Sequence, residues 1–269
     1  MLIDLHVHSN YSSDGAASLE EMIKAAISRG LKYIAFAEHY DYDYVKNNLK
    51  VQLTDIDAYF NEITFLAEKY ADKIKVIKSV ELGYDSGELV QNEYDRIMKK
   101  YPFDCILNST HIAEKVDCWK QEFYINKSKE TAYTKYFKAV LNSINCGYSY
   151  DIIPHLCIPA RYAPYENNKI IYKDWQGVLD EILRAVIQNG KTLEINTSAG
   201  KAQSAFIPDT DILKRYKELG GEKITFGSDA HDTLRIADKY QDVRDTVSEL
   251  GFKYFVVYIN RKEKLIPLK

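Results

Sequence analysis

Apolar, β-branched-rich runs recur along the chain with amphipathic stretches between them, and the first, 2–8, opens straight into a polar turn at 9–15. Ser18 then has the character of a helix N-cap, and Glu21, three residues later, completes a capping box. Leu19, Met22, Ile23, Ala26 and Ile27 form an apolar stripe that ends at Gly30, which closes one strand–helix unit. The same alternation predicts strands near 32–38, 74–82, 103–109, 151–157, 191–197 and 223–229. It places helices near 55–70, 87–100, 128–146, 174–189, 209–219 and 235–250, and a last apolar run at 254–259 predicts a short additional strand. Alternation of this kind builds an α/β fold with a parallel sheet. Seven or eight units suit a closed barrel better than the alternative, a doubly wound open sheet, and either puts function at the C-terminal ends of the strands.

At 269 residues and 46% hydrophobic content the chain can fill one sizeable core, so a single domain over 1–269 is expected. A formal charge of −3 supplies no global basic field for nucleic acid or an anionic membrane, so any anionic small molecule must be held by local charge. Cys105, Cys118, Cys146 and Cys157 are widely spaced, without a CxxC pair, which argues against a disulfide framework or a thiolate zinc site. The start MLIDLHVHSN meets an acid and two histidines within eight residues, too soon for the apolar region of a signal peptide, and no later apolar run approaches ~18 residues. A reducing cytoplasm is the expected location. Oligomeric state is not legible.

All six histidines fall at the predicted strand ends. The first strand ends Asp4-Leu5-His6-Val7-His8, where i and i+2 share a face, so both imidazoles can reach one ion. The next ends carry Glu38-His39, Glu81, Ser109-Thr110-His111, Pro154-His155 and Gly227-Ser228-Asp229-Ala230-His231. Taken singly, such a histidine is an ordinary hydrogen-bonding residue, and Glu81 or Asp229 a helix cap. Their recurrence at successive strand ends, with no histidine elsewhere, points to a shared metal site. Six histidines with Glu81, Asp229 and a possible acid at Asp14 exceed the ligands of one catalytic zinc, so two or three ions are implied. Mixed imidazole and carboxylate donors suit zinc, manganese or iron, and a carboxylate such as Glu81 can bridge two ions.

Through DLHVHS (4–9), AEH (37–39), SVELGY (79–84), STH (109–111), PH (154–155), EINTS (194–198) and GSDAH (227–231), the chain resembles the polymerase and histidinol phosphatase (PHP) family, particularly its branch acting on histidinol phosphate. The resemblance covers nearly the whole chain. It implies a PHP-type domain over 1–269, folded as a distorted seven-stranded (β/α)7 TIM-like barrel with three divalent ions, zinc foremost. Mapped by motif, one ion is held by His6, His8, Glu81 and Asp229, a second by Glu81, His111 and His155, and a third by Asp14, His39 and His231. Relatives often carry histidine at the position of Asp14. Glu38, beside a ligand, is a group that orients one.

The implied reaction is hydrolysis of L-histidinol phosphate in histidine biosynthesis, by a hydroxide bridging two ions, with Glu81, Asp229 and His231 as the catalytic set. Asp229 or His231 would protonate the leaving alkoxide. Arg161, in PHLCIPARY, is the candidate for a bidentate phosphate contact. Asn196 and Ser198 are candidate donors to phosphate, and Lys201 stands near where relatives continue Gly-Leu-Arg, supplying charge without the fork. The loop 112–129 is long enough to cover the site, with Asp117 and Trp119 as contacts to the substrate's amine or imidazole; among the tyrosines, Tyr162 beside Arg161 is a further candidate substrate contact and Tyr40 beside His39 another to test. The competing readings are a phosphoesterase of broader scope, acting on nucleotides or other small phosphates, and a non-catalytic metal-binding protein.

Overall fold

A computed structural model of the protein describes residues 1–47, 49 and 52–269. Seven parallel strands lie side by side in chain order: β1 (Ile3–Val7), β2 (Tyr33–Phe36), β3 (Lys75–Gly83), β4 (Cys105–Ser109), β5 (Ile152–Ile153), β6 (Thr192–Asn196) and β7 (Ile224–Gly227). The ring closes just beyond β7, where Asp229 N donates to His6 O and His8 N to Ala230 O, both at 2.8 Å. This is the closed barrel, not the open sheet. It is distorted at β5, which spans two residues where seven were expected, because Pro154 carries no amide hydrogen and His155 turns into the left-handed region at φ 32°.

Helices α1 (Leu19–Ser28), α2 (Ile56–Lys69), α3 (Glu88–Lys100), α4 (Lys129–Ile144), α5 (Gln176–Gln188) and α6 (Thr210–Glu218) fill the connections, and α7 (Tyr240–Glu249) follows β7. The capping box at α1 forms as its spacing requires: Glu21 N donates to Ser18 Oγ and Ser18 N to the Glu21 carboxylate. Leu19, Met22, Ile23 and Ala26 are buried against the barrel, while Ile27 sits at the margin of the stripe. Helix α7 begins five residues later than its sequence pattern, because residues 232–239 form an irregular loop over the mouth of the barrel.

The run 254–259 is a strand, β8, but it leaves the barrel and pairs antiparallel with β9 (Lys262–Pro267). The two-residue turn, Asn260 and Arg261, is left-handed at both positions (φ 50° and 62°), as the twist of a tight hairpin requires. Asn260 N donates to Asp104 Oδ1 at 2.8 Å and Arg261 Nε lies 2.6 Å from Asp151, which pins the hairpin under the starts of β4 and β5, the end opposite the histidines. All four cysteines are free, and no described helix is long and apolar enough to cross a membrane.

Candidate metal centre

Alternation along β1 sets Asp4, His6 and His8 on one face, and parallel register places His39 beside Glu81 of β3. His111 follows β4, and His155 and Asp229 follow β5 and β7 in left-handed conformations (φ 32° and 52°) that turn their side chains to the barrel axis. Such backbone costs of order 1–3 kcal/mol per residue and persists only where its surroundings hold it. Here His155 N donates to Glu194 Oε2 at 2.8 Å, and Asp229 N is tied to His6 O.

Glu81, fully buried, is the hub. Its Oε2 lies 3.4 Å from His6 Nε2, 3.7 Å from His8 Nε2 and 2.8 Å from His39 Nδ1, while Oε1 lies 3.3 Å from His111 Nε2 and 2.8 Å from His155 Nε2. Asp229 Oδ1 completes the first group, 3.9 Å from His6 Nε2 and 3.3 Å from His8 Nε2. His6, His8 and Glu81 bring donor atoms within 4.8 Å of one another, as do Glu81, His111 and His155. His39 and His231 form such a group with His8, whose ring stacks on each of theirs at 4.3 and 4.2 Å while those two are 5.9 Å apart. Asp14 lies beside both, 3.8 Å from His39 and 3.2 Å from His231, with its side chain 58% exposed.

The donor atoms fit divalent cations. His6 Nε2, His8 Nε2, His39 Nδ1, His231 Nε2 and Glu81 Oε2 are buried without a hydrogen-bond partner among the described residues, a concentration of costly orphan groups that ions would satisfy together. Left to themselves, the groups compensate one another electrostatically. Burial opposes the Glu81 carboxylate, but His6, His39 and His111 hold its pKa well below the usual range. Burial likewise opposes a charged His6, yet Glu194 and Glu81 raise it well above the ordinary imidazole value.

Behind the donors stands a layer that aims them. His6 Nδ1 meets Glu194 Oε1 at 2.7 Å, and His111 Nδ1 meets Asp41 Oδ1 at 3.0 Å. Glu38 acts through Ser12, whose hydroxyl donates to Glu38 Oε2 and also lies 3.2 Å from His8 Nδ1. A methyl group on Gly227 would overlap both Glu194 and His6, so this contact needs glycine there. Glu194 thus holds one candidate ligand by its ring and another, His155, by its backbone. Glu194→Gln should weaken metal affinity by roughly 10–100-fold, read by competition with a chromogenic chelator; unchanged affinity would remove Glu194 from this role.

Asp41, Glu194 and Arg235 escaped the sequence reading as site residues. Asp41 and Glu194 carried a usable signal, one lying two residues beyond His39 and the other two before Asn196 on the same strand face. The centre floors a cavity of about 790 Å³ lined by Asp14, Asp117, Trp119, Arg161, Tyr162 and Arg235 among others. Arg161 stacks on Tyr162 at 5.0 Å and donates to Asp229 Oδ2 at 3.0 Å, and Asp117 accepts from Tyr44 Oη. Four candidates lie elsewhere. Asn196 Nδ2 donates to Glu194 and its Oδ1 accepts from Ser198 N, so it braces the strand end. Ser198 is buried under Arg235, and Lys201 is exposed outside the cavity, because the chain turns outward at Gly200 (φ 51°). Tyr40 points away, to Glu93.

A family model described as the PHP domain matches residues 4–198. A histidinol-phosphatase of Lactococcus lactis is 31% identical over 261 residues, spanning 97% of this chain and 95% of its own. A probable histidinol-phosphatase of Clostridium acetobutylicum is 33% identical over 232 residues, 86% of this chain and 87% of that one. A crystal structure of histidinol phosphate phosphatase from Lactococcus lactis, complexed with zinc, L-histidinol and phosphate, has a TM-score of 0.84 at 30% identity, over 97% of this chain and 98% of that one.

Proposed function

The chain belongs to the PHP domain family, and on that footing we propose that it is a phosphoric monoester hydrolase converting L-histidinol phosphate to L-histidinol and phosphate. Residues 1–269 act as one catalytic unit, placed in the cytoplasm. The observation that carries the reading is the disposition of Glu81, one oxygen toward His6 and His8 and the other toward His111 and His155, at the floor of a cavity with an arginine in its wall. His6, His8, Glu81 and Asp229 would hold one divalent ion, Glu81, His111 and His155 a second, and Asp14, His39 and His231 a third, with zinc the first choice over manganese or iron. When bound, such ions acidify water and neutralise charge developing on a phosphoryl group.

The protein's own groups supply the rest. The cavity wall carries Asp14, Asp41, Asp117, Asp229 and Asp232, a field hostile to a phosphate dianion unless cations offset it. Arg161 orients the phosphoryl oxygens from the wall. Burial opposes charge on Asp229, but His8, His6, His231 and Arg161 hold its pKa well below the carboxylate range, so it carries no proton at neutral pH. The acid role passes to His231 only where its Nε2 is not a ligand of the third ion, so acid and ligand are alternative roles for that nitrogen. Trp119, exposed at the rim, and Asp117, buried in the wall where it accepts from Tyr44 Oη and Trp119 N, would meet the amine and imidazole of the substrate.

Elemental analysis combined with phosphate release from L-histidinol phosphate, nucleotides and small phosphomonoesters tests the reading. Comparable efficiency on nucleotides would sink the narrow substrate, and no release under any metal supplementation would favour a metal-binding protein without catalysis. Arg161→Ala should raise KM about tenfold or more with a smaller change in kcat, the loss of one charge-assisted contact. An unchanged kcat/KM would take Arg161 out of the site.

A further inference from the structure

Besides Arg161, the cavity wall carries a second guanidinium, that of Arg235, on the irregular loop between β7 and α7. This loop is tied down at many points. Asp232 Oδ1 accepts from the amides of Leu234 and Arg235 at 2.7 and 3.1 Å, and Asp4 Oδ2 accepts from Ala237 N at 2.8 Å. The Arg29 guanidinium, at the end of α1, donates to the carbonyls of Thr233, Leu234 and Ile236 at 3.0, 2.7 and 2.6 Å. A rigid loop of this kind presents its side chains in a fixed place.

The neighbours of the Arg235 guanidinium are mostly neutral. Nη1 donates to Ser198 Oγ at 3.0 Å, and Nη2 makes long contacts of 3.4 Å with the carbonyls of Thr197 and Ser228. Its carboxylate neighbour, Asp238, is 3.7 Å away with both side chains more than a third exposed, a weak surface pair. Arg161, by contrast, shares its charge with Asp229 at 3.0 Å. The two arginines flank the same strand ends: Arg161 packs against Gly200, and Arg235 crosses Thr197, Ser198 and Ser228. A guanidinium oriented by neutral oxygens keeps its charge and part of its fork available for an oxyanion.

We propose that Arg235 is a second phosphate-gripping residue of the site, binding the substrate's phosphoryl oxygens together with Arg161. The proposal rests on the phosphomonoesterase reading for its substrate but not for its test, which uses inorganic phosphate. Phosphate binding to the metal-loaded protein is measured by calorimetry, alongside L-histidinol, which lacks the phosphoryl group, and metal content. Arg235→Ala should weaken phosphate at least about tenfold, the loss of a charge-assisted contact, while L-histidinol affinity and metal content stay within twofold. Arg235→Lys should recover part of the loss, because the charge returns without the fork. Phosphate affinity within twofold of wild type overturns the proposal, as does equal weakening of phosphate and L-histidinol, which would make Arg235 only a brace for its loop. Should Arg235→Ala fail to fold, Arg235→Lys decides by the same ratio of the two ligands. If the wild type hydrolyses no phosphomonoester yet Arg235→Ala still loses phosphate, the functional reading fails and the arginine assignment stands.

Discussion

Glu81→Gln should cost metal and activity together, with kcat/KM falling on the order of a thousandfold or more. The substitution is nearly isosteric, so the barrel has no steric reason to change. What changes is chemistry. Five imidazoles come within 3.7 Å of the Glu81 carboxylate, and an amide places a hydrogen-bond donor where one carboxylate oxygen stood. It also removes the buried negative charge that the first two of the three proposed ion sites share. Elemental analysis and steady-state kinetics on the same preparation check this, and full metal occupancy in the variant would refute the shared-ligand assignment.

Chelation is the second large effect, and it has a pH signature. Stripping metal should abolish activity reversibly and leave the histidines to be held by the carboxylates alone. Burial opposes protonation of His6, His39, His111 and His231, yet neighbouring carboxylates raise all four, His39 to about 9. A pKa raised on folding gives stability that is complete below the unfolded value of about 6.5 and is lost as pH climbs through the folded one. His8, lowered by burial and by the charges of His231 and His39, works the other way but alone. Glu81 and Asp229 are depressed, so their contribution is present above about pH 4 and fails only in acid. The stripped protein should therefore be most stable at about pH 5–6.5 and melt lower at pH 9 than at pH 6. The displacement of His39 alone corresponds to about 3 kcal/mol at 1.36 kcal/mol per unit. With metal restored, the ions replace those protons, and the Tm should hold from pH 6 to 9. A stripped protein whose Tm rises over that interval would contradict the scheme.

The strand ends were legible because the histidines sit at fixed offsets after β-branched runs, where alternation alone says which side chains share a face. The third ligand group was legible only as a set of residues. That the His8 ring stacks on those of both His39 and His231 depends on how three loops pack. Contacts such as Glu194 on His6 or Arg235 on Ser198 join residues 188 and 37 positions apart, and no local pattern encodes them. The hairpin at the C-terminus was half visible. Its apolar strand stands out, but KEKLIP reads as polar surface, and the turn uses Asn-Arg where Asn-Gly would have announced it. Lys201 was misplaced for a related reason, since the outward turn at Gly200 changes which face the next side chain takes.

The left-handed backbone at His155 and Asp229 sets thermal robustness and chemistry against each other within single residues. Glycine at either position would relieve the backbone strain, but it would erase a candidate ligand together with its contacts to Glu81 or Arg161. At Asp229 the loss of its stabilising pairs with His8 and Arg161 offsets that relief, so survival on heating reads only the balance of strain against pairing and is blind to whether a ligand remains. Screens for robustness in this scaffold therefore need a turnover criterion applied in the same round.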